Sequence, residues 1–149
     1  MIELKELVKT YGPVRALNGL NLVVPNGCLY GLLGPNGAGK STSLRILCTL
    51  LAPDSGRVTI AGFDALKDPR RIRKLLGYVA QEVSIDKILT GRELLRFQAD
   101  LYHLSGEEIN TRIPELIDLL NMGDWIDRRC GAYSGGMKRR LDIASGLLH

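Results

Sequence analysis

The chain has 149 residues, 45% of them apolar and 24% charged, with a net charge of +4. That length suits one domain with a real core, and the composition is that of a globular protein and not of a disordered or fibrous one. The longest apolar runs, such as 28–33, fall far short of the roughly 20 residues that cross a bilayer, and a charge of +4 does not by itself mark a nucleic-acid binder.

Glu3, Lys5 and Glu6 interrupt any signal-peptide pattern. Cys28, Cys48 and Cys130 are odd in number and form no CxxC pair, so reduced thiols are expected and a zinc site is not. Alternation at Ile2 and Leu4, and again at Leu20, Leu22 and Val24, predicts two strands with Tyr11-Gly12-Pro13 as a turn between them. The run CLYGLLG, 28–34, is short, apolar and bounded by glycine, which predicts a strand buried on both faces. A helix is expected from about Lys40, with Leu44, Leu47, Cys48 and Leu51 on one stripe and Pro53 as its stop. RVTIA, 57–61, predicts a strand, followed by a short helix with Asp68 as N-cap, Pro69 at its first position and Gly77 at its end. GYVAQ, 77–81, reads as another short strand.

From 90 to 122 the periodicity becomes helical. Thr90 with Glu93, and Ser105 with Glu108, fit capping boxes. Ile109, Ile113, Leu116, Ile117 and Leu120 make an apolar stripe that Gly123 can stop, and Pro114 inside it predicts a kink or two shorter helices. In YSGGMKRRLDIASGLLH, 133–149, a turn-like Ser-Gly-Gly leads into a last helix. Met137, Leu141, Ala144 and Leu148 share one face of it, with Lys138, Arg139 and Arg140 outside that stripe.

The chemistry concentrates in GPNGAGKST, which is Gly34, Pro35, Asn36, Gly37, Ala38, Gly39, Lys40, Ser41 and Thr42. It matches G-x-x-x-x-G-K-[ST] after an apolar run and at the start of a helix, the context that motif requires. Glycines let the backbone curl until successive N–H groups point at phosphate oxygens. Lys40 supplies a point charge for the β- and γ-phosphates and Ser41 a hydroxyl for Mg²⁺, while the helix start adds its partial positive charge. Nucleotide binding is the expectation.

GPNGAGKST, Gln81 and YSGGM together resemble the ATP-binding subunits of ABC transporters, over the whole chain. LTGRELL and YSGGMKRRLDIA look most like the daunorubicin-resistance branch of drug exporters. The resemblance implies an α/β fold: a P-loop NTPase core with an N-terminal antiparallel β region and a helical subdomain, of ABC ATPase type. The expected parts are 1–81 as β-rich core, 82–133 as helical subdomain and 134–149 as signature helix. It also implies that Tyr11 stacks on adenine and that Gln81 contacts Mg²⁺ or the attacking water. Ser134, Gly135 and Gly136 would meet the γ-phosphate held by an opposite subunit. Tyr133 and Met137 depart from the leucine and glutamine most common in the signature, and Met137 cannot make glutamine's hydrogen bonds.

The family's Mg²⁺-binding aspartate, catalytic glutamate and switch histidine have no counterpart here, since His103 and His149 lie elsewhere. The expectation is therefore a C-terminally truncated, incomplete domain. In a complete protein it would bind and hydrolyse ATP with Mg²⁺, pair with itself or another ABC domain, and drive export of a drug-like or lipid-like substrate. The pore would come from separate transmembrane permease subunits, which places the chain in the cytoplasm on the inner face of the cell membrane. Two alternatives stand beside it: an ATP-binding half-site without turnover, and a nucleic-acid-associated ATPase of related fold. PRRIRK, 69–74, and MKRR, 137–140, motivate the latter, but with 5% aromatic residues there is no stacking platform and no direct nucleic-acid contact is expected.

Overall fold

The computed structural model describes residues 1–80 and 85–148. The chain divides into two compact units, Met1–Leu76 and Gly77–His149.

The first unit opens with a hairpin. Strands β1 (Ile2–Tyr11) and β2 (Val14–Val24) pair antiparallel, as the alternation predicts, with Gly12 at φ +55° in the turn. Strands β3 (Ser55–Ile60) and β4 (Phe63–Asp64) extend the sheet in the order β2-β1-β3-β4. Register shifts interrupt the β1–β2 ladder, and one lies between Leu4 and Leu7. It lets both leucines turn inward although they are three positions apart, breaking the simple period of two. Leu4, Leu7, Leu17, Val58 and Ile60 join Ile46, Ala65 and Ile72 in one apolar cluster.

Helix α1 (Lys40–Leu47) starts where expected but ends at Cys48, well before Pro53, as Thr49 takes φ +56°. Its buried residues are Ser43 and Ile46, with Leu47 and Leu51 half-buried, whereas Leu44 is exposed. The predicted stripe is thus rotated, because the loop that begins the helix is fixed against β2 and sets which face turns inward. Helix α2 (Pro69–Arg73) has Pro69 at its start but stops before Gly77, with Ile72 its one buried residue.

Two predicted strands do not form. Residues 28–34 are not in a strand, and Leu29 and Leu33 lie almost wholly in solvent. An apolar run becomes a two-face-buried strand only with hydrogen-bonded neighbours on both edges. Among the described residues, the four strands pair with one another and none with 28–34. Residues 77–80 likewise form no strand, and Gln81 lies outside the described residues.

The second unit is helical. Helix α3 (Gly91–Leu101) begins with the Thr90–Glu93 capping box and α4 (Gly106–Leu119) with the Ser105–Glu108 box, both as predicted. Pro114 does not divide α4, which runs through it. Ile113, Leu116 and Ile117 are buried around the proline, at about 1.5–3 kcal/mol each, and outweigh its cost of about 3 kcal/mol. The helix ends ahead of Gly123, where Asn121 takes φ +51°, a conformation asparagine tolerates. Helix α5 (Gly135–Gly146) lays Leu141 and Ala144, and the residues just after it lay Leu148, into a core shared with Leu95, Ala99, Met122, Trp125 and Ile126, with Met137 packed beside it.

Among the described residues, no helix is long and apolar enough to cross a membrane.

Candidate functional site

The phosphate loop belongs to the first unit, and its glycines set its shape. Gly37 and Gly39 have φ of +86° and +84°, in the left-handed region that costs other residues energy. Gly39 is constrained twice over. A Cβ there would lie 2.5 Å from the Ala16 carbonyl oxygen and 2.6 Å from Leu17 Cδ2. Ala16 reaches it because β1 pairs Lys9 with Leu17 and Thr10 with Arg15, so Ala16 is the extra residue of a bulge. The loop is therefore seated on the hairpin. The Ala38 N–H donates to the Pro35 carbonyl at 3.2 Å, closing the turn. Ser43, buried in the first turns of α1, donates its hydroxyl to the Gly39 carbonyl at 3.0 Å while its amide donates there at 2.8 Å.

Gly39 is also the N-cap of α1, and no side chain caps that helix. The first N–H groups of α1 thus lack a capping oxygen, and with the helix's positive end they suit an anion. The Lys40 ammonium curls back over the loop and donates to the Gly34 and Pro35 carbonyls at 2.6 and 2.7 Å. It is held where phosphate oxygens can replace those carbonyls. A cleft of ≈ 440 Å³ adjoins the loop, lined by Ala16–Asn21 of β2, Leu32, Leu33, Ala38, Lys40 and Ser43. A groove of ≈ 430 Å³ in the second unit is lined by Leu104, Glu107, Glu108, Thr111, Arg112 and Leu148.

The donor set also fits Mg²⁺. Among the described residues no group of three or more His, Cys, Asp or Glu could hold a metal. Ser41 offers a single exposed hydroxyl oxygen at the helix start. A hard ion that keeps waters and phosphate oxygens needs little more from the protein. Tyr11 ends β1 opposite Val14 and is 45% exposed, with Lys9 Nζ 5.9 Å from its ring centroid.

In the second unit, Ser134 caps α5. Its hydroxyl accepts the Met137 N–H at 3.3 Å, and its own N–H donates to Met137 Sδ at 3.5 Å. Met137 lacks glutamine's amide donors, as the sequence implies, yet its sulfur takes part in the cap. The thioether makes the acceptor half of the capping box, a weak version of what a glutamine carbonyl would supply. Among the described residues, a Cβ at Gly135 or Gly136 would meet nothing within 4 Å, so their packing demands neither glycine.

Tyr133, the other departure, is built into the core. Its hydroxyl faces the Trp125 and Ile126 carbonyls at 3.0 and 3.1 Å and accepts the Gly91 N–H at 3.2 Å. Its ring meets Trp125 edge-on, with centroids 4.9 Å apart. Burial pushes its pKa up to about 12. Tyr133 thereby ties the start of α5 to the start of α3.

Sequence reasoning missed Arg139, which was placed only outside the apolar stripe. Its guanidinium donates to the Ala80 carbonyl at 2.6 Å and pairs with Asp142 at 3.3 Å. Burial raises the Asp142 pKa, against the opposing pull of Arg139. A Cβ at Gly146 would lie 2.7 Å from Val79 Cγ2, so the segment leading to Gln81 runs close along α5. No local signal marks this contact, because it joins residues 59 apart. Of the residues singled out in the sequence, the structure gathers Gly34 to Thr42 into one loop in the first unit, whose hairpin also carries Tyr11, and sets Ser134 to Gly136 in the second.

Residues 17–149 match the family model described as ABC transporter. The daunorubicin/doxorubicin resistance ATP-binding protein DrrA of Streptomyces peucetius is 46% identical over 147 residues, covering 99% of this chain and 44% of that protein. The daunorubicin resistance ATP-binding protein DrrA2 of Streptomyces coeruleorubidus is 44% identical over 147 residues, covering 99% and 46%. This chain thus spans less than half the length of these relatives. Among solved structures, the dimeric post-hydrolysis state of the ATP-binding cassette MJ0796, bound to ADP and Pi, matches with a TM-score of 0.81 at 29% identity. That match covers 99% of this chain and 69% of the other.

Proposed function

The chain belongs to the ABC transporter family, and from that premise we propose that its first unit binds ATP with Mg²⁺ through Gly34 to Thr42. The observation that carries the reading is the seat of Gly39 on Ala16, which holds an uncapped helix start beneath the Lys40 ammonium. Loop N–H groups and the start of α1 take the phosphate oxygens, Lys40 neutralises the β- and γ-phosphates, and the Ser41 hydroxyl holds the ion. When bound, Mg²⁺ neutralises charge on the phosphates. Tyr11 stacks on the adenine, and Gln81 serves the ion or the water.

Ser134, Gly135 and Gly136 take the γ-phosphate of a nucleotide held by a second ABC domain. The two open glycines support this reading. Alanine is the better helix former at each, and nothing among the described residues lies within 4 Å of the space a Cβ would take. A close approach from outside accounts for both.

In the whole protein, ATP binding and hydrolysis power export of a drug-like or lipid-like substrate through separate membrane subunits, with this chain at the inner face of the membrane. The names of the daunorubicin-resistance relatives support that substrate class. The basic run 69–74 does not favour nucleic acid. Arg71 lies over Phe63 at 5.5 Å and Arg73 donates to Thr49 at 3.0 Å, so both are engaged within the first unit.

Lys40→Ala tests the phosphate loop. Losing charge-assisted hydrogen bonds worth about 1.5–3 kcal/mol should weaken ATP binding roughly ten- to more than a hundredfold by calorimetric titration. A variant that binds ATP as tightly as the parent contradicts the assignment.

A further inference from the structure

Asp54 lies just ahead of β3, and its carboxylate grips the far end of β1. It accepts Lys9 Nζ at 2.7 Å, the Thr10 amide at 2.7 Å and the Thr10 hydroxyl at 2.6 Å. Its own N–H donates to the Val8 carbonyl at 2.9 Å. The reason is topological. Strand β3 begins with Ser55 opposite Val8, so Thr10 lies past the end of that strand. The Asp54 carboxylate takes the place of the missing ladder partner. These donors hold its pKa down at about 2, so it stays ionised at neutral pH.

The residue after this grip is Tyr11. The ammonium that Asp54 binds is also the one 5.9 Å from the Tyr11 ring centroid, within cation–π range. One carboxylate therefore fixes both the backbone before the ring and the cation beside it, while the ring stays 45% exposed. Tyr11 is placed to matter for the phosphate loop. Its cross-strand partner Val14 is two residues, about 7 Å of strand, from Ala16, on which Gly39 is seated.

We propose that Asp54 is a positioning residue for base recognition: with Lys9 and Thr10 it holds Tyr11 as a preset stacking platform for the adenine of a nucleotide bound at 34–42. This rests on the ATP-binding reading above. A ring already ordered before binding loses less freedom when the base arrives, and so contributes affinity that a loose ring forfeits.

The test compares ATP with inorganic tripolyphosphate, which carries the phosphates without a base. Asp54→Ala should weaken ATP binding about fivefold and leave tripolyphosphate binding unchanged. Thr10→Val, which keeps the backbone hydrogen bond, should give a smaller loss confined to ATP. In a Tyr11→Ala background, Asp54→Ala should weaken ATP no further. Equal losses for ATP and tripolyphosphate, no loss for either, or a loss that persists without Tyr11 would overturn the positioning role and leave the phosphate loop intact. A parent protein that binds neither ligand would instead overturn the ATP-binding reading itself.

Discussion

Helices α1 and α5 both follow glycine-rich turns, yet they start in opposite ways. Helix α5 is closed by its own chain, with the Ser134 hydroxyl on the Met137 amide and Met137 Sδ on the Ser134 amide. Helices α3 and α4 in the same unit are closed likewise. Helix α1 begins at Gly39 with no capping side chain, forgoing the roughly few tenths of a kcal/mol by which a serine or aspartate cap exceeds glycine. What holds α1 is the seat of Gly39 on Ala16 and the Ser43 hydroxyl behind it. Helix α5 differs again, since it is capped and yet keeps two glycines that nothing among the described residues crowds. The start of α5 is capped by its own side chains, whereas the start of α1 is held from behind and has no side-chain cap in front.

That contrast can be broken most strongly at Gly39. Gly39→Ala adds a left-handed residue, at about 1–2 kcal/mol, and forces overpacking against Ala16 and Leu17, at about 1–3 kcal/mol more. The expected outcome is a clear fall in the urea midpoint together with loss of ATP binding. An unchanged midpoint would show that the loop does not rest on the hairpin.

Gly136→Ala gives the smaller and opposite effect. Its Cβ meets nothing within 4 Å among the described residues, so stability should hold or rise slightly, glycine costing a helix start less than a helix interior. ATP-driven pairing of two ABC domains, measured by light scattering, should nevertheless be weakened. Pairing as strong as the parent's would mean that this glycine faces no phosphate.

The parts that were legible in the sequence are those whose chemistry is local. GPNGAGKST specifies its own curl, and the Thr90–Glu93 and Ser105–Glu108 boxes close within one turn of helix. The apolar stripes of α4 and α5 follow from helical period alone. The failures are tertiary. Residues 28–34 have a buried strand's composition, but composition does not supply the neighbouring strands. The face of α1 that turns inward is decided by Gly39 against Ala16, a contact across the loop. Of the kink or division that Pro114 predicts, the division is absent, because the surrounding core keeps α4 one helix.

Within the site, the Asp54–Thr10 grip joins residues 44 apart, and only the β1–β3 register brings them together. Arg139 on Ala80 is hidden for the same reason. The weak contact of the Ser134 N–H with the Met137 sulfur is not suggested by side-chain type alone.

The most direct measurement is an ATP titration followed by backbone amide resonances. The expected result is large shifts at Gly37, Gly39, Lys40 and Ser41, where the uncapped helix start faces phosphate, with the capped starts of α3 and α4 unmoved. Saturation with ATP that left the 37–41 amides unshifted would contradict the assignment of the phosphate site to the start of α1.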